Sequence, residues 1–340
     1  MDSLLEVQKR LVPDLIEVMQ KRFHILRLVG LMQPVGRRSL SQNLHMTERV
    51  LRSEIQFLKE QRLLTVTSAG MSLTKEGNLI LAKLEDMMKE ISVIPDLEVR
   101  LNRFFNGREC IVVPGNAEES SWVKLEMGRA CLNRMETVLE NGQIVAVTGG
   151  STVAAVAEAV TPEFPVKDLL FVPARGGVGT DMQHQANTIC EIMAKKTNSN
   201  YMVLYLPDQV SEGLYQSFAH DPSILGVLAK IKAADHVIHG IGDALTMARR
   251  RKTSEQDMRK ITEGHAVAEA FGYYFDEEGK VVHRVKTVGL QWEDLQKVRH
   301  IFAVAGGPSK AKAIKAYMQI APQNTILITD EAAADEILKG

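Results

Sequence analysis

The chain has 340 residues, too many for one ordinary domain, with 45% hydrophobic and 24% charged side chains, the balance of a globular protein. No apolar run approaches the roughly 20 residues that span a bilayer, so a helical membrane protein is excluded and no membrane partner is expected. The net charge of −1 hides an asymmetry: residues 21–62 hold nine Lys/Arg against three acids, and acids exceed bases by seven elsewhere. A basic segment on an acidic body points to nucleic acid, with a solvated helical surface as the plainer alternative.

The N-terminus, "MDSLLEVQKRLVPDL", lacks the basic start, apolar core and cleavage site of a secretory signal. Cys110, Cys131 and Cys190 are far apart and form no CxxC pair, so buried free thiols are expected rather than zinc or disulfides. A cytoplasmic location follows, with no cofactor and no metal.

Residues 14–32 place Leu15, Met19, Phe23, Leu26 and Val29 at helical period, and Gln33-Pro34-Val35-Gly36 breaks the pattern. The next stretch, "SLSQNLHMTERVLRSEIQFLKEQRLL", predicts a short helix capped by Ser39, a turn at His45-Met46, and a helix capped by Thr47. Leu51, Ile55 and Leu58 face inward on that second helix. Arg49, Arg52, Ser53 and Gln56 share the opposite face, and Arg and Gln suit bidentate bonding to guanine and adenine edges. Two short strands around Ala69-Gly70 complete a winged helix-turn-helix. Arg37, Arg38, Thr47, Arg49, Arg52, Ser53 and Gln56 are its expected DNA contacts, against the alternative of a helical interaction module. A helix over about 74–91, with Leu79, Ile80, Leu84 and Met87 or Met88 apolar, trails this domain. "SVIPDLE" around Pro95 reads as a linker, so domains are expected at 1–90 and 91–340.

The remainder alternates strand and helix. "CIVVPG", "QIVAVTGG", "LLFVPARGG", "YMVLYLP", "HVIHGIGD", "IFAVAGG" and "TILITD" are unbroken apolar runs ending in Gly, Pro or Asp. Unbroken runs mean strands covered on both faces, hence a doubly wound, mostly parallel α/β sheet. In such sheets ligands bind beyond the carboxyl ends of the strands. Two strand–Gly-Gly–Ser–helix junctions stand there: Gly149, Gly150, Ser151 and Thr152, and Gly306-Gly307 followed by Ser309 and Lys310. Glycine lets a ligand approach the backbone, and a helix start offers unpaired N–H groups, which is the chemistry of a phosphate cradle. Arg175 and the run Arg249-Arg250-Arg251 stand near two further strand exits.

"TGGST", "HGIGD", "GHAVAEAFGYYFDEEGK" and "AVAGGPSKAKAIKAYMQIAPQNTILITDEAAADEIL" together resemble the SorC type of bacterial sugar-responsive transcription regulators. The effector domain of that family is similar to sugar-phosphate isomerase and deaminase folds. The resemblance implies a repressor of a glycolytic operon, released by a phosphorylated intermediate, with fructose 1,6-bisphosphate as the leading candidate. Double-stranded operator DNA is the expected partner, and because a single winged helix reads too short a site for a regulator, a symmetric homo-oligomer is expected on it. An acid stands in the family's Gly-Ala-Val-Gly-Asp stretch, and here "HAVAEAFG" places Glu269 there for a sugar hydroxyl. Gln185 is a second candidate hydroxyl partner. Arg250 is chosen for a second phosphate, with Arg249 and Arg251 close rivals. The related deaminases follow their Gly-x-Gly-x-Asp exit with Gly-His. Here Gly240-Ile241-Gly242-Asp243 runs into Ala244-Leu245-Thr246, and His239 and His265 are the nearest imidazoles. No catalytic residue is therefore expected, and the rival reading is an isomerase or deaminase with an N-terminal interaction module.

Overall fold

The computed structural model describes residues 11–44, 46–91, 93–179, 181–209 and 221–339. The expectations for the first ten residues and for a turn at His45 lie outside that set. The chain divides into two compact units, Met1–Pro95 with Ser120–Trp122, and Asp96–Glu119 with Val123–Gly340.

In the first unit α1 (Pro13–Met32) starts with proline in its first turn, where the missing N–H costs nothing. Phe23, Leu26 and Val29 are buried as their period predicts, but Leu15 is 66% exposed, since the core begins a turn later. Then α2 (Arg37–Asn43) is capped by Gly36 rather than Ser39: Leu40 N–H already bonds the Gly36 carbonyl, so Ser39 lies inside the helix. Thr47 caps α3 (Glu48–Glu60) through Val50 N–H, and Leu51, Ile55 and Leu58 turn inward. Strands β1 (Leu64–Thr67) and β2 (Gly70–Leu73) form an antiparallel hairpin, and Val35 exchanges backbone hydrogen bonds with Met71 of β2. Thr74 caps α4 (Lys75–Ile91) by accepting from Gly77 N–H. Leu81 and Met88 bury on this helix, whereas Leu79 stays 66% exposed.

A carboxylate seats α3. Glu54 is buried on its inner face and bonds Lys21 at 2.6 Å and Arg22 at 2.8 Å, while Arg22 also stacks 3.6 Å over Phe57. Burial alone would raise the Glu54 pKa; the bonds and charges of Lys21 and Arg22 outweigh it and hold the carboxyl below its usual range. Two of the nine basic residues of this segment therefore serve the fold.

The second unit begins within α5 (Ile94–Phe104), which corrects the expected linker: Pro95 occupies the helix's first turn, a position proline tolerates. A parallel sheet follows in the order β3 (Cys110–Val113), β13 (Thr325–Asp330), β12 (His300–Val304), β7 (His236–His239), β4 (Ile144–Val147), β5 (Leu170–Pro173) and β6 (Asn200–Tyr201). Consecutive residues of β7 and β13 are all buried, as strands covered on both faces require. All seven apolar runs join this sheet, though "YMVLYLP" pairs only at its first residue, the chain then leaving the edge. Its helices are α6 (Ser121–Glu136), α7 (Ser151–Ala159), α8 (Ala186–Thr197), α9 (Pro222–Lys232), α10 (Ala244–Arg250), α11 (Glu255–Glu263), α12 (Ala311–Ile320) and α13 (Glu331–Lys339). Side chains of α5 bond the outer edge of β3: Asn102 Oδ1 accepts Cys110 N–H at 2.7 Å, and Glu98 Oε1 accepts Val112 N–H at 2.9 Å. A small antiparallel sheet, unforeseen from sequence, runs β11 (Val281–Arg284), β10 (Tyr273–Phe275), β9 (Ala268–Ala270), β8 (Gly242–Asp243). No helix among the described residues is long and apolar enough to cross a membrane.

At the opposite end of the sheet from the glycine junctions, His236 and His300 start adjacent strands and stack at 5.3 Å with an 8° interplanar angle. His236 Nε2 bonds Gln143 Oε1 at 2.7 Å, and its Nδ1 is buried without a partner among the described residues. Burial first, then the neighbouring His300, push the His236 pKa down to about 4 against the opposing pull of Asp235, with Arg299 adding least. The folded protein thus refuses a proton that the unfolded chain takes near pH 6.5. Stability should be full above about pH 6.5 and decline as pH falls toward 4. Thermal melts across that window should show the decline, and a His236→Gln variant should show a shallower one.

Candidate functional site

Across the carboxyl ends of β4, β5, β7 and β12 lies a cavity of about 820 Å³. It straddles the switch point between β4 and β7, where the strand order reverses direction. Gly149, Gly150, Ser151, Thr152, Arg175, Gln185, Arg250, Glu269 and Lys310, separated by up to 161 positions in sequence, all line it. What each offers there differs.

The junction after β4 opens as expected. Gly150 sits at φ +126°, a conformation that favours glycine, and α7 starts at Ser151. The first-turn amides of an α-helix have no intrahelical carbonyl to bond, so Ser151, Thr152 and Val153 present N–H groups at this end. Two groups are already engaged, however. Gly150 N–H donates to His184 O at 2.9 Å, and the Thr152 hydroxyl donates to Val304 O at 2.9 Å. Thr152 thereby ties α7 to β12, and its hydroxyl proton does not point to a ligand.

Across the cavity, Lys310 is held in a desolvated position. Burial lowers its pKa first, and nearby Lys124 and Arg250 lower it further against the opposing pull of Glu118 and Asp243. No described carboxylate forms an ion pair with its ammonium. Arg250 is exposed at the cavity wall, Arg249 is exposed outside it, and Arg251 is buried. The three neighbours of one arginine run thus have three different fates.

Arg175 and Glu269, expected at the ligand, belong to a buried ring of four charges. Arg175 bonds Asp208 through Nε and Nη2 at 2.9 Å each, and Glu269 Oε1 through Nη1 at 3.3 Å. Arg251 closes the ring with Asp208 at 3.1 Å and Glu269 at 2.8 Å, and donates also to Tyr274 Oη at 3.0 Å. Gly272 N–H adds a 2.7 Å bond to Glu269 Oε1. Burial would raise the Glu269 pKa, but Arg251 and Arg175 overcome it and keep the carboxyl below its usual range. Two cations and two anions cancel. The bonds to Glu269 all end on Oε1, which leaves Oε2 outside the ring's contacts.

Gln185 is spent on its own loop. Its Oε1 accepts Val178 N–H, and its Nε2 donates to Val178 O and Asp181 O, so the side chain ties Val178 and Asp181 to Gln185. Asp181 pairs with His184 at 2.5 Å on the cavity wall. His239 cannot act as an acid or base: Nδ1 bonds Gly240 O at 3.0 Å and Nε2 bonds Tyr317 Oη at 2.8 Å. Burial dominates and pushes its pKa down to about 4, so it is neutral with both nitrogens occupied. Sequence reasoning missed Asp208, Asp181 and His184, and named Arg251 as a rival for a phosphate rather than as a member of the ring. His184 is the immediate neighbour of Gln185, but nothing local marks Asp208.

In the first unit Arg37, Arg38, Thr47, Arg49, Arg52, Ser53 and Gln56 are all exposed. Arg49, Arg52, Ser53 and Gln56 lie along one outer face of α3, opposite Leu51, Ile55 and Leu58. Gln56 Nε2 donates to Glu60 Oε1 at 2.7 Å, leaving its amide oxygen open. Seated by Glu54, the helix presents a cationic, hydrogen-bonding edge of the kind that enters a major groove.

Residues 18–88 match the family described as "CggR N-terminal DNA binding domain", and residues 89–339 match "Putative sugar-binding domain". The central glycolytic genes regulator of Priestia megaterium is 55% identical over all of this chain and 99% of that protein. Its namesake in Bacillus subtilis is 50% identical, again over 100% of this chain and 99% of its own length. Among solved structures, "the putative SorC family transcriptional regulator from Enterococcus faecalis" is 47% identical, with a TM-score of 0.68 over 72% of this chain and 99% of that one. The full-length sorbitol operon regulator SorC of Klebsiella pneumoniae, at 16% identity, shares the fold, with a TM-score of 0.67 over 90% of this chain and 94% of its own. The enzyme alternative falls with these matches. The chain belongs to the family of the central glycolytic genes regulators, SorC-type transcription regulators that join a DNA-binding domain to a sugar-binding one.

Proposed function

We propose that this protein represses a glycolytic operon as a homo-oligomer in the cytoplasm, and that fructose 1,6-bisphosphate, bound in the 820 Å³ cavity, alters its hold on operator DNA. The observation that carries the reading is that the open first turn of α7 and two cationic side chains, Lys310 and Arg250, line one cavity. Cations at separate points suit a ligand with a phosphate at each end, because charge-assisted hydrogen bonds are the strong ones. A monophosphate sugar would engage only one set.

The ring of Arg175, Asp208, Arg251 and Glu269 supplies the rigid floor of that reading and must be separated from it experimentally. Isothermal titration with fructose 1,6-bisphosphate should show Lys310→Ala and Arg250→Ala each weaker by about 1.5–3 kcal/mol, with unchanged melting. Glu269→Gln should instead lower stability by about 3–5 kcal/mol, because it strands one guanidinium of a buried ion pair. Lys310→Ala titrating like wild type would remove the sugar phosphate from this cavity.

The operator arm is independent. Arg49→Ala, Arg52→Ala and Gln56→Ala should each cost about 1–3 kcal/mol of operator affinity in a gel-shift titration while leaving the sugar titration intact. Arg37→Ala and Arg38→Ala should lower the salt dependence of DNA binding by about one counterion each, the signature of phosphate contacts. Unchanged affinity in all three α3 variants would move the recognition surface elsewhere.

A further inference from the structure

The two glycine junctions differ in what their amides face. At the start of α7 the first turn opens into the cavity. At the second junction, Gly307 N–H donates to Asp330 Oδ1 at 2.9 Å, and Ser309 N–H donates to Glu118 Oε1 at 3.1 Å. The Ser309 hydroxyl donates to the same Glu118 oxygen at 2.5 Å. Asp330 is fully buried and fixed, with Ala117 N–H and Ala333 N–H as further donors. Glu118 is exposed and stands on the loop after β3. Its carboxylate packs so closely on Gly307 that a Cβ there would come within 2.3 Å of Oε1, and Gly307 has φ +97° besides. The glycine thus makes room for a carboxylate that belongs to the chain.

That carboxylate stands beside the cavity's cation. Ser309 and Lys310 both line the cavity, and Glu118 is among the charges that Lys310 feels. Ser309 has one N–H and one O–H to give, and both go to one Glu118 oxygen. A ligand oxygen cannot share them.

We infer that Glu118 is an internal competitor for the anion bound at Ser309 and Lys310, a residue that sets the affinity of the site; this rests on the reading of the cavity as a sugar-phosphate site. A phosphate arriving at Lys310 takes over the Ser309 donors as the Glu118 carboxylate leaves. The exchange favours phosphate because a phosphate monoester brings about −1.5 to −2 charges and three acceptor oxygens against one charge and two. Departure of Glu118 also removes one of the ties on its loop, leaving Gly115 N–H on Glu331 Oε2 at 3.0 Å and Ala117 N–H on Asp330.

The test is isothermal titration of the full chain with fructose 1,6-bisphosphate, alongside hydrogen–deuterium exchange over residues 114–119. Glu118→Gln should tighten binding about tenfold, and Glu118→Ala by at least as much, both with wild-type melting. In Glu118→Gln combined with Lys310→Ala the gain should vanish. In the wild type, adding the sugar phosphate should raise exchange in the 114–119 loop. Glu118→Gln binding equally or more weakly, with Lys310→Ala impaired, would overturn the competitor role and leave the cavity reading standing. Lys310→Ala binding like wild type would overturn both.

Discussion

Four buried side chains of alternating sign hold the effector unit's working end together. Arg175 follows β5, Asp208 follows β6, Arg251 caps the C-terminus of α10 and Glu269 lies on β9, so one ring joins the parallel sheet, the small antiparallel sheet and the helix that carries Arg250. Burying charge is costly unless every partner is present, and here each carboxylate meets two guanidinium groups. A ring that is stable only when complete behaves as one rigid piece. The cavity-lining groups beside it, Arg250 and the Glu269 oxygen outside the ring's bonds, inherit that rigidity.

Rigidity on one wall is set against adjustable contacts on the others. Gly150 N–H is covered by a carbonyl of the 181–185 turn, and Ser309 by a carboxylate from the loop after β3. Both covers come from surface segments held by hydrogen bonds, which open locally at far less cost than a strand or a core helix. An effector has purchase on a protein only through contacts that differ between two states. Thr152, by contrast, is locked to Val304, and His239 is bonded at both nitrogens.

Much of this architecture was legible in the sequence, and the failures have physical reasons. Seven unbroken apolar runs correspond to the seven sheet strands because covering both faces leaves no polar alternation to confuse the pattern. The small sheet escaped because its strands are two to four residues long and include Glu269, His283 and Arg284. Pro95 misled because proline marks both linkers and helix starts, and only the α5 contacts to β3 distinguish them. The glycine junctions announced the cavity, since their backbone chemistry is local. The ring did not announce itself: Asp208 and Arg251 are 43 positions apart, and ion pairing is decided by tertiary structure. Likewise Lys21 and Arg22 swell the charge count of the basic segment, yet both pair with Glu54, a contact that only tertiary structure decides.

The two ends of the parallel sheet bear on how copies of the chain can associate. An open sheet edge is a row of unpaired amides and carbonyls that invites a strand from another molecule. On one side that row is filled by Asn102 and Glu98, whose side chains imitate the missing strand. On the other, β6 ends after Asn200–Tyr201, too short to template a neighbour. Neither edge therefore offers a template on which a strand of another molecule could extend the sheet into a continuous β-ribbon.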